Sequence, residues 1–181
     1  MEILETKIAD VLLLKPAVYK DDRGFFLETY REEHLKEHNI DVHFVQDNLS
    51  KSQRNTVRGL HYQIERQQDK LLMVMRGTIL DVAVDLRQDS PTFGEHVAME
   101  LSAENKHQMF IPKGFAHGFS VLSDNALVYY KCSDYYYPDG ERGLLWNDPE
   151  LDIDWKVKNP IVSEKDWDQP FLDEISNKDL F

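Results

Sequence analysis

One cysteine, Cys132, is all the chain has in 181 residues, so no internal disulfide can form and stability has to come from packing and hydrogen bonding. A reducing compartment is the expected setting. Basic residues are also scarce: 21 Lys and Arg against 33 Asp and Glu leave a formal charge of -12. Nucleic acid and anionic membrane surfaces both call for a basic field, so neither is an expected partner. Any anionic ligand must be held by a local group of Arg and Lys. No apolar run approaches the length of a bilayer span. The opening MEILETKIAD carries acids where a secretory signal needs a basic and then an apolar segment, and the expectation is a cytoplasmic protein. The seven histidines include no His-x-His pair and no HExxH helix, and no dinucleotide fingerprint is present. Neither a metal nor any other cofactor is expected.

What is present is strand period. With 41% hydrophobic residues the chain is long enough for one domain over residues 1–181 with a sizeable core. TILDVAVDLR (78–87) sets Leu80, Val82, Val84 and Leu86 on one face and Ile79, Asp81, Ala83 and Asp85 on the other. RGT at 76–78 reads as a hairpin turn from the preceding KLLMVM. Further extended runs are HVAMEL, HQMFI, GFSVL and ALVYYKCSDYYY (126–137), separated by the turn-rich DSPTFG, SAEN, IPKG and LSDN. Many short strands at such spacing predict an all-β sandwich or barrel of the jelly-roll type with a few short helices. LETYREEHLKEHNI (27–40) is the best helix candidate, with its charges as a solvated face. Ser163 is placed to cap a short turn over SEKDWDQP.

Some polar residues sit where a plain scaffold does not need them. In RGLHYQ (58–63) alternation puts His61 and Gln63 on one face and Leu60 and Tyr62 on the other. Alone, His61 reads first as an ordinary surface histidine. Asp81 and Asp85 interrupt an apolar strand, so their face is outer surface or the lining of a wet barrel mouth. His117, in FIPKGFAHGFS, is either a hydrogen-bonded core residue or part of a site. The tyrosines at 129, 130, 135, 136 and 137 suit ordinary sheet packing. His34 and His38 form a helix surface pair.

DDRGFFLETY, FVQDNLSKS, VRGLHYQ, KLLMVMRGTILDVAVDLRQDSPTFG, LSAENKHQMFIPKGFAHGF, YYKCSDYYYP and WNDPELDIDW occur in this order. Together they resemble the dTDP-4-dehydrorhamnose 3,5-epimerase family of the cupin superfamily, through nearly the whole chain. The resemblance implies a jelly-roll homodimer with its site in the barrel mouth and no cofactor. Its substrate would be dTDP-4-dehydro-6-deoxy-D-glucose, converted to dTDP-4-dehydro-L-rhamnose on the route to dTDP-L-rhamnose. By position, His61 matches the family's catalytic base, Asp166 the acid paired with it and Tyr130 the proton donor on the opposite face. Lys70, Arg58 and His117 match residues near the keto oxygen and diphosphate. Arg23, Phe26, Glu28, Gln46, Asn48 and Tyr135 match nucleotide-binding positions.

Such chemistry needs those residue types. The protons at C3 and C5 flank the C4 ketone, so removing either puts charge on the C4 oxygen, and Lys70, with or without His117, would stabilise that oxyanion. Imidazole suits the base role, because its ordinary pKa lies near working pH and a carboxylate behind it fixes the tautomer. Inversion then requires a second group to return a proton from the other face, which a phenol can do. Arg58 and Arg23 would pair with phosphate oxygens inside an acidic protein. Two alternatives stand beside the double epimerase: a mono-epimerase or 3,4-ketoisomerase acting on a related sugar nucleotide, and a catalytically silent binding module. Intact His61, Lys70 and Tyr130 argue against the latter.

Overall fold

A computed structural model describes residues 1–181. In chain order its strands are β1 (Glu2–Glu5), β2 (Leu12–Lys15), β3 (Val18–Asp21) and β4 (Gly24–Leu27), then helix α1 (Glu32–Lys36). There follow β5 (Gln46–Gln53), β6 (Val57–Gln63), β7 (Lys70–Arg76), β8 (Thr78–Asp85), β9 (His96–Ser102), β10 (Gln108–Ile111), β11 (Phe115–Val121), β12 (Asn125–Cys132) and β13 (Glu141–Gly143). Helix α2 (Glu164–Trp167) comes last before the tail. No helix is long and apolar enough to cross a membrane.

Two antiparallel sheets face each other, one ordered β1-β2-β10-β7-β12-β5 and the other β13-β6-β11-β8-β9. From β5 to β12 the chain changes sheet at every connection except β8 to β9, which is the jelly-roll path the sequence predicts. The expected hairpin at RGT is not formed. β7 pairs with β10 and β12, whereas β8 pairs with β9 and β11. Only Gly77 separates β7 from β8, one residue short of the two-residue loop that closes a tight hairpin. Its φ of 79° turns the corner between sheets, and a Cβ there would lie 2.1 Å from the Asn125 carbonyl oxygen, so the position requires glycine.

Both faces of β8 are covered, as its dense apolar content demands. Leu80, Val82, Val84 and Leu86 pack under Leu144, Trp146, Leu151, Trp155 and Leu180 from the C-terminal segment. Ile79 and Ala83 join Leu72, Val74, Val128 and Phe119 between the sheets. The Asp81 and Asp85 face therefore looks inward, and of the two settings open to it from sequence the outer surface is ruled out. α1 is shorter than the expected 27–40 span. Leu27 is taken by β4, opposite Val18, and the helix stops where Asn39 takes a left-handed φ of 63°. Leu35 and Ile40 anchor it over Leu14, Leu71 and Phe110. β12 ends at Cys132, so Tyr135, Tyr136 and Tyr137 lie beyond the strand. Ser163 does cap α2, its hydroxyl accepting from the Asp166 N–H at 3.2 Å.

Asp85 shows how an inward carboxylate is tolerated. It is fully buried and accepts from Arg87 Nε (2.8 Å) and Nη2 (2.7 Å), Ser90 Oγ (2.6 Å) and Thr92 Oγ1 (2.6 Å). Burial alone would raise its pKa, but the Arg87 guanidinium and the two hydroxyls outweigh that and bring it to about 2. A carboxylate depressed in the folded state stabilises the fold above its unfolded pKa of about 4. That contribution, on the order of 2 kcal/mol, is lost as pH falls toward 2. We predict that Asp85→Asn lowers the urea midpoint near pH 7, and that its own midpoint falls less than the native one between pH 5 and pH 2. Parallel curves would disprove the assignment.

Candidate active site

A cavity of about 1030 Å³ opens between the edge of the six-stranded sheet and the facing β6–β11 pair. Register decides what lines it. On one wall Tyr130 stands between Asn48 and Leu72, and Cys132 between Gln46 and Lys70. Because alternate residues share a face, Gln46, Asn48, Ser50 and Ser52 of β5, Tyr130 and Cys132 of β12 and Lys70 of β7 all reach the cavity. On the facing wall His61 and His117 are cross-strand partners. Leu60 and Tyr62 point the other way, into the core behind β6. The alternation expected for RGLHYQ therefore holds, and the polar face is a pocket.

His61 is held from behind. α2 delivers Asp166, whose Oδ1 lies 2.7 Å from His61 Nε2, while its Oδ2 takes the Gly59 N–H at 3.3 Å. Burial would raise the Asp166 pKa, but the His61 and Gly59 hydrogen bonds and the Ser163 cap keep it below the ordinary value. Asp166 is thus ionised and must accept, so Nε2 carries the proton and, in the neutral ring, the lone pair is on Nδ1. A second dyad lies beside the first. His117 Nε2 is 2.8 Å from Asp81 Oδ1, and burial pushes His117 below its usual pKa despite that carboxylate. Asp81 Oδ2 is buried without a hydrogen-bond partner.

The opposite wall carries the acid and a lysine. The Tyr130 hydroxyl makes no hydrogen bond within the protein, and burial raises its pKa, so it stays a protonated phenol at neutral pH. Lys70 has no salt-bridge partner, and burial lowers its pKa. From the His61 wall, Arg58 of β6 donates through Nε across to Ser52 Oγ of β5 at 2.9 Å, which aims the guanidinium while leaving its charge unpaired. Unpaired basic side chains in one cavity make an electropositive spot in a chain of charge -12. Such a spot favours a phosphate and a developing oxyanion.

Eight of the sequence-predicted residues therefore line one cavity: Gln46, Asn48, Arg58, His61, Lys70, His117, Tyr130 and Asp166. Four lie outside it. Arg23 sits on the β3–β4 hairpin with its side chain 89% exposed, bonded to Asp21. Phe26 is 69% and Tyr135 56% exposed, and Glu28 pairs with Arg31 at 2.6 Å. Sequence reasoning did not select Glu141 or Lys165, which meet at 2.5 Å on the cavity rim with the Tyr136 hydroxyl 2.9 Å from Glu141. β13 is three residues long and gives no periodic signal, and only the nearness of Lys165 to Asp166 could have drawn attention to it. No cluster of His, Cys, Asp or Glu has the arrangement of a metal site.

A jelly roll with a carboxylate-backed histidine facing a phenol, in a cavity that also holds Lys70 and Arg58, defines a cupin-type enzyme of acid–base chemistry on an anionic substrate. Residues 5–174 match the family described as dTDP-4-dehydrorhamnose 3,5-epimerase. The enzyme of that name from Pseudomonas aeruginosa is 53% identical, covering 92% of this chain and 93% of its own. One from Neisseria gonorrhoeae is 52% identical over 92% of this chain, which spans only 51% of that longer protein. The crystal structure of dTDP-6-deoxy-D-glucose-3,5-epimerase from Legionella pneumophila, in complex with dTDP-4-keto-L-rhamnose, superposes with a TM-score of 0.96. It is 46% identical and covers 99% of this chain and 96% of that one. The chain belongs to the dTDP-4-dehydrorhamnose 3,5-epimerase family.

Proposed function

We propose that the protein converts dTDP-4-dehydro-6-deoxy-D-glucose to dTDP-4-dehydro-L-rhamnose by proton removal and return at C3 and C5. The observation that carries this reading is the placement of the His61–Asp166 pair and of Tyr130 with Lys70 on opposite walls of one cavity. His61 Nδ1 takes the proton, and the electron pair of the C–H bond moves through the enolate onto the C4 oxygen. Lys70, with His117 beside it, neutralises that oxygen. Tyr130 gives a proton to the other face and the ketone re-forms, with no net change in oxidation state. Arg58 holds the diphosphate, and Gln46 and Asn48 the nucleotide. Turnover of dTDP-4-keto-6-deoxyglucose in deuterated water tests this: NMR is expected to find deuterium at both C3 and C5 of the product. Label at one carbon only would make the protein a mono-epimerase, and migration of the ketone to C3 a 3,4-ketoisomerase.

The proposal extends to a homodimer. The β3–β4 hairpin exposes Tyr19 and Phe26 as cross-strand partners on one face, an apolar pair that is costly to leave in water. The family resemblance assigns nucleotide contacts to Arg23, Phe26 and Glu28, which this chain's own cavity does not contain. Docking of the hairpin at the cavity of a second copy satisfies both facts. Sedimentation at assay concentration is expected to give a dimer, and a fully active monomer would remove this part of the proposal.

A further inference from the structure

Four groups on the β5 wall form a hydrogen-bond relay whose direction is set at one end. The backbone N–H of Tyr136 can only donate, and it donates to Gln46 Oε1 at 2.8 Å. Gln46 Nε2 is thereby turned toward Asn48 and donates to Oδ1 at 3.1 Å. With that oxygen engaged, Asn48 Nδ2 faces the other way and donates to Cys132 Sγ at 3.5 Å, within reach of the larger sulfur. The usual ambiguity of amide oxygen and nitrogen is removed, because reversing Gln46 would set donor against donor. Cys132 is 1% exposed and burial raises its thiol pKa, so the relay ends on a neutral sulfur. No other side chain accepts from Asn48 Nδ2.

We infer that Cys132 is a positioning residue: by accepting from Nδ2 at the end of the relay it holds the Asn48 amide in the orientation that it presents to the nucleotide sugar. The inference rests on the nucleotide-sugar reading of the cavity. Cys132 acts through Asn48 and transfers no proton, so its removal falls on binding rather than on the chemical step.

Calorimetric titration with dTDP, together with steady-state kinetics, tests the relay on two variants. Cys132→Val keeps an apolar side chain of similar size that suits a strand but lacks an acceptor. It is expected to weaken dTDP binding and raise KM about two- to tenfold, the worth of one hydrogen bond, while kcat holds. Cys132→Ser restores an acceptor and is expected to bind dTDP close to the native level. In an Asn48→Ala background the Val substitution is expected to cost nothing more. Native affinity in the Val variant, equal losses in Val and Ser, or an undiminished Val effect without Asn48 would each overturn the role of Cys132. Failure of the native protein to bind dTDP would count instead against the nucleotide-sugar reading. The relay is then judged from the Asn48 side-chain amide resonances, which must move in the Val variant and not in the Ser variant.

Discussion

His61→Asn is expected to abolish both the exchange of substrate protons with solvent and the formation of epimerised sugar. Asparagine is a smaller polar side chain that ends at the level of Nδ1, so the Nε2 bond to Asp166 is lost, but the Gly59 N–H still donates to Asp166 Oδ2 and keeps α2 against β6. What it lacks is a basic nitrogen. In the native site the Asp166 carboxylate fixes the proton on Nε2 at 2.7 Å and leaves Nδ1 as the acceptor for a carbon acid. General-base terms run to about 10²–10⁴-fold, and His117, the other imidazole of the cavity, is buried and is the group assigned to the C4 oxygen. The measurement is loss of the C3 and C5 proton signals from substrate in deuterated water. Persistent exchange at either carbon would show that a different base serves that position. dTDP affinity should remain near native, which separates loss of the base from loss of the site.

Why so much of this site was legible follows from strand geometry. Alternation in VRGLHYQ and TILDVAVD fixes which side chains share a face, so the grouping of His61 with Gln63 and the anomaly of Asp81 and Asp85 follow from spacing, whereas the site role of His61 comes from the family resemblance. Ser163 announces α2 through its cap, and with it the position of Asp166. Long-range pairing is a different matter. Nothing local distinguishes a hairpin from a corner between sheets until the length of the Gly77 connection is weighed, and the RGT expectation failed there. Charge pattern overstated α1 for a related reason: the β3–β4 ladder claims Leu27 through a partner nine residues away. Glu141 is invisible to periodicity, because its three-residue strand acquires meaning only from its pairing with Gln63. Arg23, Phe26 and Glu28 lie outside this chain's own cavity; the role proposed for them needs a second copy, about which a single chain's spacing carries no information.

Tyr130→Phe should separate the two halves of the reaction. The substitution removes one hydroxyl from a ring packed against the inter-sheet core, and that hydroxyl makes no hydrogen bond within the protein, so the fold loses little. Burial raises the Tyr130 pKa. The sign matters: a raised phenol pKa keeps the group protonated through neutral pH, which suits a donor and disqualifies it as the base. Without it, His61 can still form the enolate, and the proton it returns, drawn from solvent, goes back to the face it came from. Recovered substrate is therefore expected to gain deuterium while the yield of inverted sugar falls by about 10²-fold or more. Lys70 is untouched in this variant, so the oxyanion remains stabilised and the exchange rate should stay near native. Proton NMR of recovered substrate, read beside product yield, gives both numbers from one sample. If exchange and product fall together, as in His61→Asn, the phenol is needed to form the enolate, and the assignment of Tyr130 as the opposing acid fails.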